Sequence, residues 1–115
     1  ASAVQAGTAY LLCPEATPSP AHRAALVQPA REAALTNLFS GRPARGLVNR
    51  LMRELGPLSD RAPAFPCASQ ALAPLRAAAE AHGRDDFSPL WSGARPGTLA
   101  GVDAAQVTRR LMGVD

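Results

Sequence analysis

The sequence predicts the C-terminal segment of a larger α/β protein, mostly α-helix and loop with one or two short strands. Three observations lead there. The chain has 115 residues, 47% hydrophobic and only 4% aromatic, which limits it to one domain with a small core. Eleven prolines and nine glycines interrupt nearly every stretch long enough to form an element. Finally, the strand-like run Ser2-Ala3-Val4-Gln5 has no obvious partner, and a lone buried strand leaves its edges unsatisfied. The chain is therefore expected to start partway through the last strand of its parent.

Each element has a local reason. Ala6-Gly7-Thr8 turns, and Ala9-Tyr10-Leu11-Leu12 makes one helical turn stopped by Pro14. Ser19 as N-cap and Pro20 at the first helical position open a helix through His22, Leu26 and Val27, ended by Pro29. Residues 33–40 are ambiguous and lean towards extended. Gly41-Arg42-Pro43 is a turn, and from Ala44 the apolar Leu47, Val48, Leu51, Met52 and Leu55 fall at helical spacing until Gly56-Pro57. A proline-punctuated connector covers 57–66. A helix from about Ser69 to His82, capped by Gly83, carries Leu72, Leu75, Ala78 and Ala79 on one face and contains Pro74. Residues 84–101 are loop, and a last helix runs from the N-cap Asp103 to Met112.

Composition narrows the function. No apolar run approaches the roughly 20 residues that span a bilayer, and the opening residues lack the basic n-region of a signal peptide. All twelve basic residues are arginine, against nine acids, and they are scattered rather than gathered on an aromatic-interleaved stripe. Nucleic acid is therefore not the expected partner. Cys13 and Cys67 are far apart, with no Cys-x-x-Cys and no histidine spaced for zinc, so two reduced thiols in a cytoplasmic protein without a metal are expected.

Three segments could carry chemistry. Gln5-Ala6-Gly7-Thr8 joins a strand end to a helix start, where free amides and a threonine hydroxyl suit a phosphate; the same pattern also serves as an ordinary N-cap. Arg42 and Arg45, three apart around an expected helix start, could reach one anion, or else pack their stems on a neighbouring surface. Trp91 in Phe87-Ser88-Pro89-Leu90-Trp91-Ser92-Gly93 could line a flavin or substrate pocket, or plug a gap over the core. His22, on a surface-type helix, and His82, at a helix C-terminus, lack triad-like neighbours and make poor general bases. Glu15 fits a solvated loop acid better than a buried one.

Taken in order, Gln5-Ala6-Gly7-Thr8-Ala9-Tyr10-Leu11-Leu12-Cys13-Pro14-Glu15-Ala16, Phe39-Ser40-Gly41-Arg42-Pro43-Ala44-Arg45-Gly46 and Asp86-Phe87-Ser88-Pro89-Leu90-Trp91-Ser92-Gly93 resemble the C-terminal part of nitronate monooxygenases, formerly 2-nitropropane dioxygenases. The resemblance runs over residues 1 to 112. It implies an FMN-dependent TIM (β/α)8 barrel with an added helical region, oxidising alkyl nitronates with O2 to a carbonyl compound and nitrite. Residues 1–32 would be the last barrel strand and following helix, and 33–115 a mainly helical region packing on the barrel. It further implies that Gln5, Ala6, Gly7 and Thr8 contact FMN, chiefly its phosphate, and that no catalytic residue lies in this chain. The catalytic histidine and the other half of the phosphate site belong to the upstream barrel part of the enzyme. Where the family continues Trp-(Ala/Ser)-Gly-Gln, this sequence has Ala94 in place of glutamine. The competing expectations are a flavin-dependent enoyl-acyl-carrier-protein reductase-like enzyme and a small basic helical interaction module.

Overall fold

The computed structural model describes residues 2–94 and 101–114. Its elements are α1 (Thr8–Leu11), α2 (Pro20–Leu26), β1 (Ala33–Thr36), β2 (Ala44–Leu47), α3 (Arg50–Leu55), α4 (Cys67–Ala81) and α5 (Ala104–Met112). The two strands form an antiparallel pair in which Ala33 faces Leu47 and Thr36 faces Ala44.

Capping chemistry sets most boundaries as the sequence predicts. The Ser19 hydroxyl accepts from the His22 amide and Pro20 opens α2. Asp103 accepts from the Gln106 amide at the start of α5, and Gly113 ends that helix at φ 73°. The α5 N-terminus has a second acid: Glu15, an exposed loop residue, accepts from the Ala104 amide at 2.7 Å. Gly83 follows α4 with φ 71°.

Four expectations are corrected. Ser2–Gln5 forms no strand, because none of the described residues pairs with it, and its side chains are exposed. Within 33–40 only Ala33–Thr36 is extended. The chain then turns, with the Leu38 amide donating to the Thr36 hydroxyl and the Gly41 amide to the Asn37 carbonyl. The helix expected from Ala44 begins only at Arg50: Ala44–Leu47 is a strand, since both of its edges find backbone partners, and Asn49 caps the shorter helix. Tertiary pairing overrides the helical spacing of Leu47 and Val48. In α4, which starts at Cys67, Pro74 lies in the interior and Leu75 is exposed rather than packed.

The buried apolar side chains fall into two small clusters. Leu12, Ala25, Leu26, Leu47 and Leu90 make one, which joins α2 to β2 and the loop after α4. Leu38, Phe39, Leu51 and Met52 make the other, flanked by Leu72, Phe87 and Trp91. Leu90 and Trp91 are neighbours in sequence but belong to different clusters, so the loop carrying them stitches the two together.

Candidate functional site

That loop is the centre of the site. The Leu47 amide donates to the Leu90 carbonyl at 2.8 Å and the Ser92 amide to the Arg45 carbonyl at 3.2 Å. Residues 90–92 thus run antiparallel along the free edge of β2, with Gly46 opposite Trp91. A Cβ on Gly46 would stand 3.2 Å from the Leu90 carbonyl oxygen, so a residue without a side chain suits this close approach. The Trp91 indole meets Phe39 edge-on, with centroids 5.8 Å apart and planes at 85°. On the other side, His22 Nε2 lies 2.8 Å from the Trp91 carbonyl oxygen. His22 is buried, not on an open surface as its sequence setting predicts. Its spacing to Ala25 and Leu26, three and four residues on, was the signal that it shares their buried face.

Just past Trp91 the loop reaches α1, where the Gly93 amide donates to the Thr8 hydroxyl at 2.7 Å. Gly7, Thr8, Leu11, Arg45, Trp91 and Ser92 line an open cleft of about 330 Å³ there. One residue or more from each of the three segments singled out in the sequence meets in it. Gln5 and Ala6 are not among its lining residues and lie on the irregular segment leading in. Arg42 does not join Arg45: its guanidinium sits 4.2 Å over the Phe65 ring, while Arg45, on β2 rather than at a helix start, faces the cleft.

The residues of the cleft fit an anion. Helix geometry leaves the amides of Thr8 and Ala9 without intrahelical acceptors, while those of Tyr10 and Leu11 already bond the Gly7 carbonyl. The Thr8 oxygen accepts from Gly93, so its proton is available to an incoming oxygen. Among the described residues, none beyond its chain neighbours has an atom within 4 Å of a Cβ built on Gly7, so among these residues the space beside the turn is open to a ligand. Among the described residues, ion pairs engage Arg31, Arg50, Arg76 and Arg84, and Arg45 is in none of them.

The nitronate monooxygenase family model matches residues 1–110. The chain belongs to the nitronate monooxygenase family. The nitronate monooxygenase of Pseudomonas aeruginosa is 41% identical over 114 residues, covering 97% of this chain and 32% of that protein. The crystal structure of nitroalkane oxidase from Streptomyces ansochromogenes superposes with a TM-score of 0.79 at 38% identity, over 95% of this chain and 31% of that one. The chain therefore spans about a third of the length of the relatives it matches, and it is similar to enzymes over almost all of its own length. No helix among the described residues is long and apolar enough to cross a membrane, and no group of three or more potential metal ligands occurs among them.

Proposed function

We propose that this chain is the C-terminal part of an FMN-dependent nitronate monooxygenase and that its cleft receives the phosphate end of the flavin. The observation that carries the reading is the meeting of Gly7-Thr8, Arg45 and Trp91-Ser92 around one open space, with amide and hydroxyl donors and an arginine on its walls. Gln5, Ala6, Gly7 and Thr8 are the proposed cofactor-binding residues, with Gln5 and Ala6 held by barrel strands that precede them. In a (β/α)8 barrel, anion sites commonly lie in the loops after the last strands, at the C-terminal face. Residues 1–32 would be the last strand and its helix, and 33–115 the region packed on the barrel. Ser2–Gln5 would become a strand when the neighbouring barrel strands pair with it.

Bound FMN supplies the redox chemistry by which an alkyl nitronate and O2 become a carbonyl compound and nitrite. This chain's residues hold and orient. The amides at the start of α1 and the Thr8 hydroxyl offer fixed hydrogen bonds to a phosphate. Arg45 adds a positive charge, and Trp91 and Leu11 give the cleft apolar walls. Neither histidine is offered as a base. His22 is bonded to the Trp91 carbonyl, and His82, at the C-terminal end of α4, has Nδ1 2.9 Å from the Ala78 carbonyl oxygen and does not line the cleft. The proton-transfer group is assigned to the upstream barrel, in a cytoplasmic enzyme.

The test is made on the full-length protein. It should purify with FMN, consume O2 with a short alkyl nitronate, release nitrite, and leave NAD(P)H unoxidised. Rapid NAD(P)H oxidation would instead assign it to the enoyl-acyl-carrier-protein reductase type. The isolated 115-residue chain should release no nitrite.

A further inference from the structure

Gly46 and Trp91 form the non-hydrogen-bonded pair of their short ladder, because the flanking bonds run from Leu47 to Leu90 and from Ser92 to Arg45. In such a pair a residue's own N–H and C=O point away from the neighbouring strand. The Trp91 carbonyl is therefore turned from β2, towards α2. His22 is there, and no other described residue donates to this oxygen. A carbonyl can only accept, so His22 Nε2 carries the proton. Two residues later the Gly93 amide is spent on Thr8. The carbonyl of Trp91 and the amide of Gly93 thus hold the same short segment from opposite ends, one tied to α2 and the other to α1.

We propose that His22 is a positioning residue. By fixing the Trp91 carbonyl it sets the Ser92-Gly93 backbone so that the Gly93 amide occupies the Thr8 oxygen, leaving the Thr8 proton aimed into the cleft. The first half of this, the pin on the loop, stands on the hydrogen bonds alone; its consequence for the flavin phosphate rests on the proposed function above. Without the pin, the segment keeps its two ladder bonds to β2 but loses the tie that fixes where Gly93 falls. Thr8 could then rotate its hydroxyl freely, and a preorganised donor would become a wandering one.

The experiment compares His22→Gln with His22→Asn in the full-length protein. The longer glutamine places an amide N–H where Nε2 stood, whereas asparagine is too short to reach the carbonyl. Both stay polar, so the pair differs in reach more than in burial cost. Two quantities are read: hydrogen exchange of a peptide covering residues 90–94 in flavin-free protein, and FMN affinity by flavin fluorescence. With asparagine, exchange at Gly93 should rise about tenfold, the worth of one net hydrogen bond, while Ser92 stays protected by its bond to the Arg45 carbonyl, and FMN should bind about tenfold more weakly. Glutamine should stay within about twofold of wild type on both.

Equal behaviour of the two variants, whether both fast or both slow, overturns the pin. Faster exchange with unchanged FMN affinity overturns the link to Thr8. If the asparagine variant fails to fold, His22→Ala takes its place as the variant that cannot reach the carbonyl, and its contrast with glutamine decides in the same way. A wild-type protein that binds no FMN defeats the proposed function, yet the exchange measurement still judges His22.

Discussion

Thr8 and Gly93, separated by 85 positions in the chain, are joined by a 2.7 Å hydrogen bond in which the glycine amide donates to the threonine hydroxyl. The bond makes one side chain answer to two parts of the fold. Its oxygen anchors the Trp91 loop, and its proton remains for a ligand. Thr8→Val in the full-length protein removes both and strands the Gly93 amide, so FMN affinity should fall tenfold or more, about 1.5–3 kcal/mol for a hydrogen bond to a charged group. Thr8→Ser keeps the hydroxyl and should lose little. Fluorescence titration of FMN into the apoprotein measures both, and a valine variant that binds like wild type would refute the assignment of Thr8.

Asn49 should be among the least replaceable residues for stability. It is 1% exposed, its Oδ1 accepts from the Met52 amide to cap α3, and its Nδ2 donates to the carbonyls of Asp85 and Ser88 at 2.9 and 2.8 Å. One side chain therefore starts a helix and ties down the loop that carries Trp91. Asn49→Ala leaves two carbonyls without their donor and should cost about 3 kcal/mol. Asn49→Asp is expected to be worse, because it presents an acceptor where both partners are acceptors. Urea midpoints of the two variants decide the order; aspartate being the milder change would contradict the geometry.

Gly41 is set by sterics rather than by the cleft. Its φ is 92°, and an added Cβ would lie 2.3 Å from the Phe65 amide nitrogen and 2.6 Å from the Pro63 carbonyl oxygen. All of these neighbours are backbone and cannot swing aside. Gly41→Ala should lower stability by about 3 kcal/mol from strain and overlap together, seen as a drop in Tm. Gly7→Ala meets no atom of another described residue beyond its chain neighbours within 4 Å. Its cost should appear in FMN binding and not in Tm.

What the sequence announced, and what it hid, follow from where each signal is local. Ser19-Pro20 and Asp103 specify helix starts through their own side chains, so α2 and α5 were legible. The strand at Ala44–Leu47 was not, because it exists through bonds to β1 on one side and to residues 90–92 on the other. Asn49, the true N-cap, lay inside what spacing alone made one long helix. The three motif segments could be picked out singly, but their convergence needed the antiparallel placement of Trp91 beside Gly46. Arg45 became a cleft residue and Arg42 a partner of Phe65 because no helix starts between them: Arg42 stays in the bend before β2, Arg45 is on the strand, and the helical stacking that would bring residues three apart to one ligand is absent.

The two cysteines should differ sharply towards a thiol reagent. Cys13 is buried behind α1, and burial, then the nearby Glu15 and Asp103 carboxylates, push its thiol above the ordinary range, against a weaker opposing pull from Arg23. Its thiolate population at neutral pH is correspondingly small. Cys67, the first residue of α4, is exposed. Native labelling with a maleimide followed by peptide mapping should modify Cys67 and leave Cys13 untouched until denaturant is added. Equal labelling of both in the native protein would show that the contact of α5 with α1 and the loop after it, made by Tyr10 with Thr108 and by Glu15 with Ala104, opens readily.

Acid should loosen the Trp91 loop from a second side, through Glu80. Its carboxylate accepts from the Ser88 hydroxyl at 2.6 Å and from Arg76 at 2.7 Å, and these two bonds, Ser88 first, hold it below its ordinary value of 4.5. A carboxylate lowered in the folded state adds stability that is fully present above the unfolded value and disappears as pH falls through the folded one. Glu80→Gln should therefore be less stable than wild type by a constant amount above about pH 5.5, and the gap should close as the pH drops below 4.5. Ser88 lies two residues before Leu90, so the same titration should speed hydrogen exchange of the loop in wild type more than in the variant. Urea midpoints across the acid range give the first result. A gap that stays constant from neutral pH down to pH 3 would mean that the Ser88–Glu80 bond does not depend on the charge of the carboxylate.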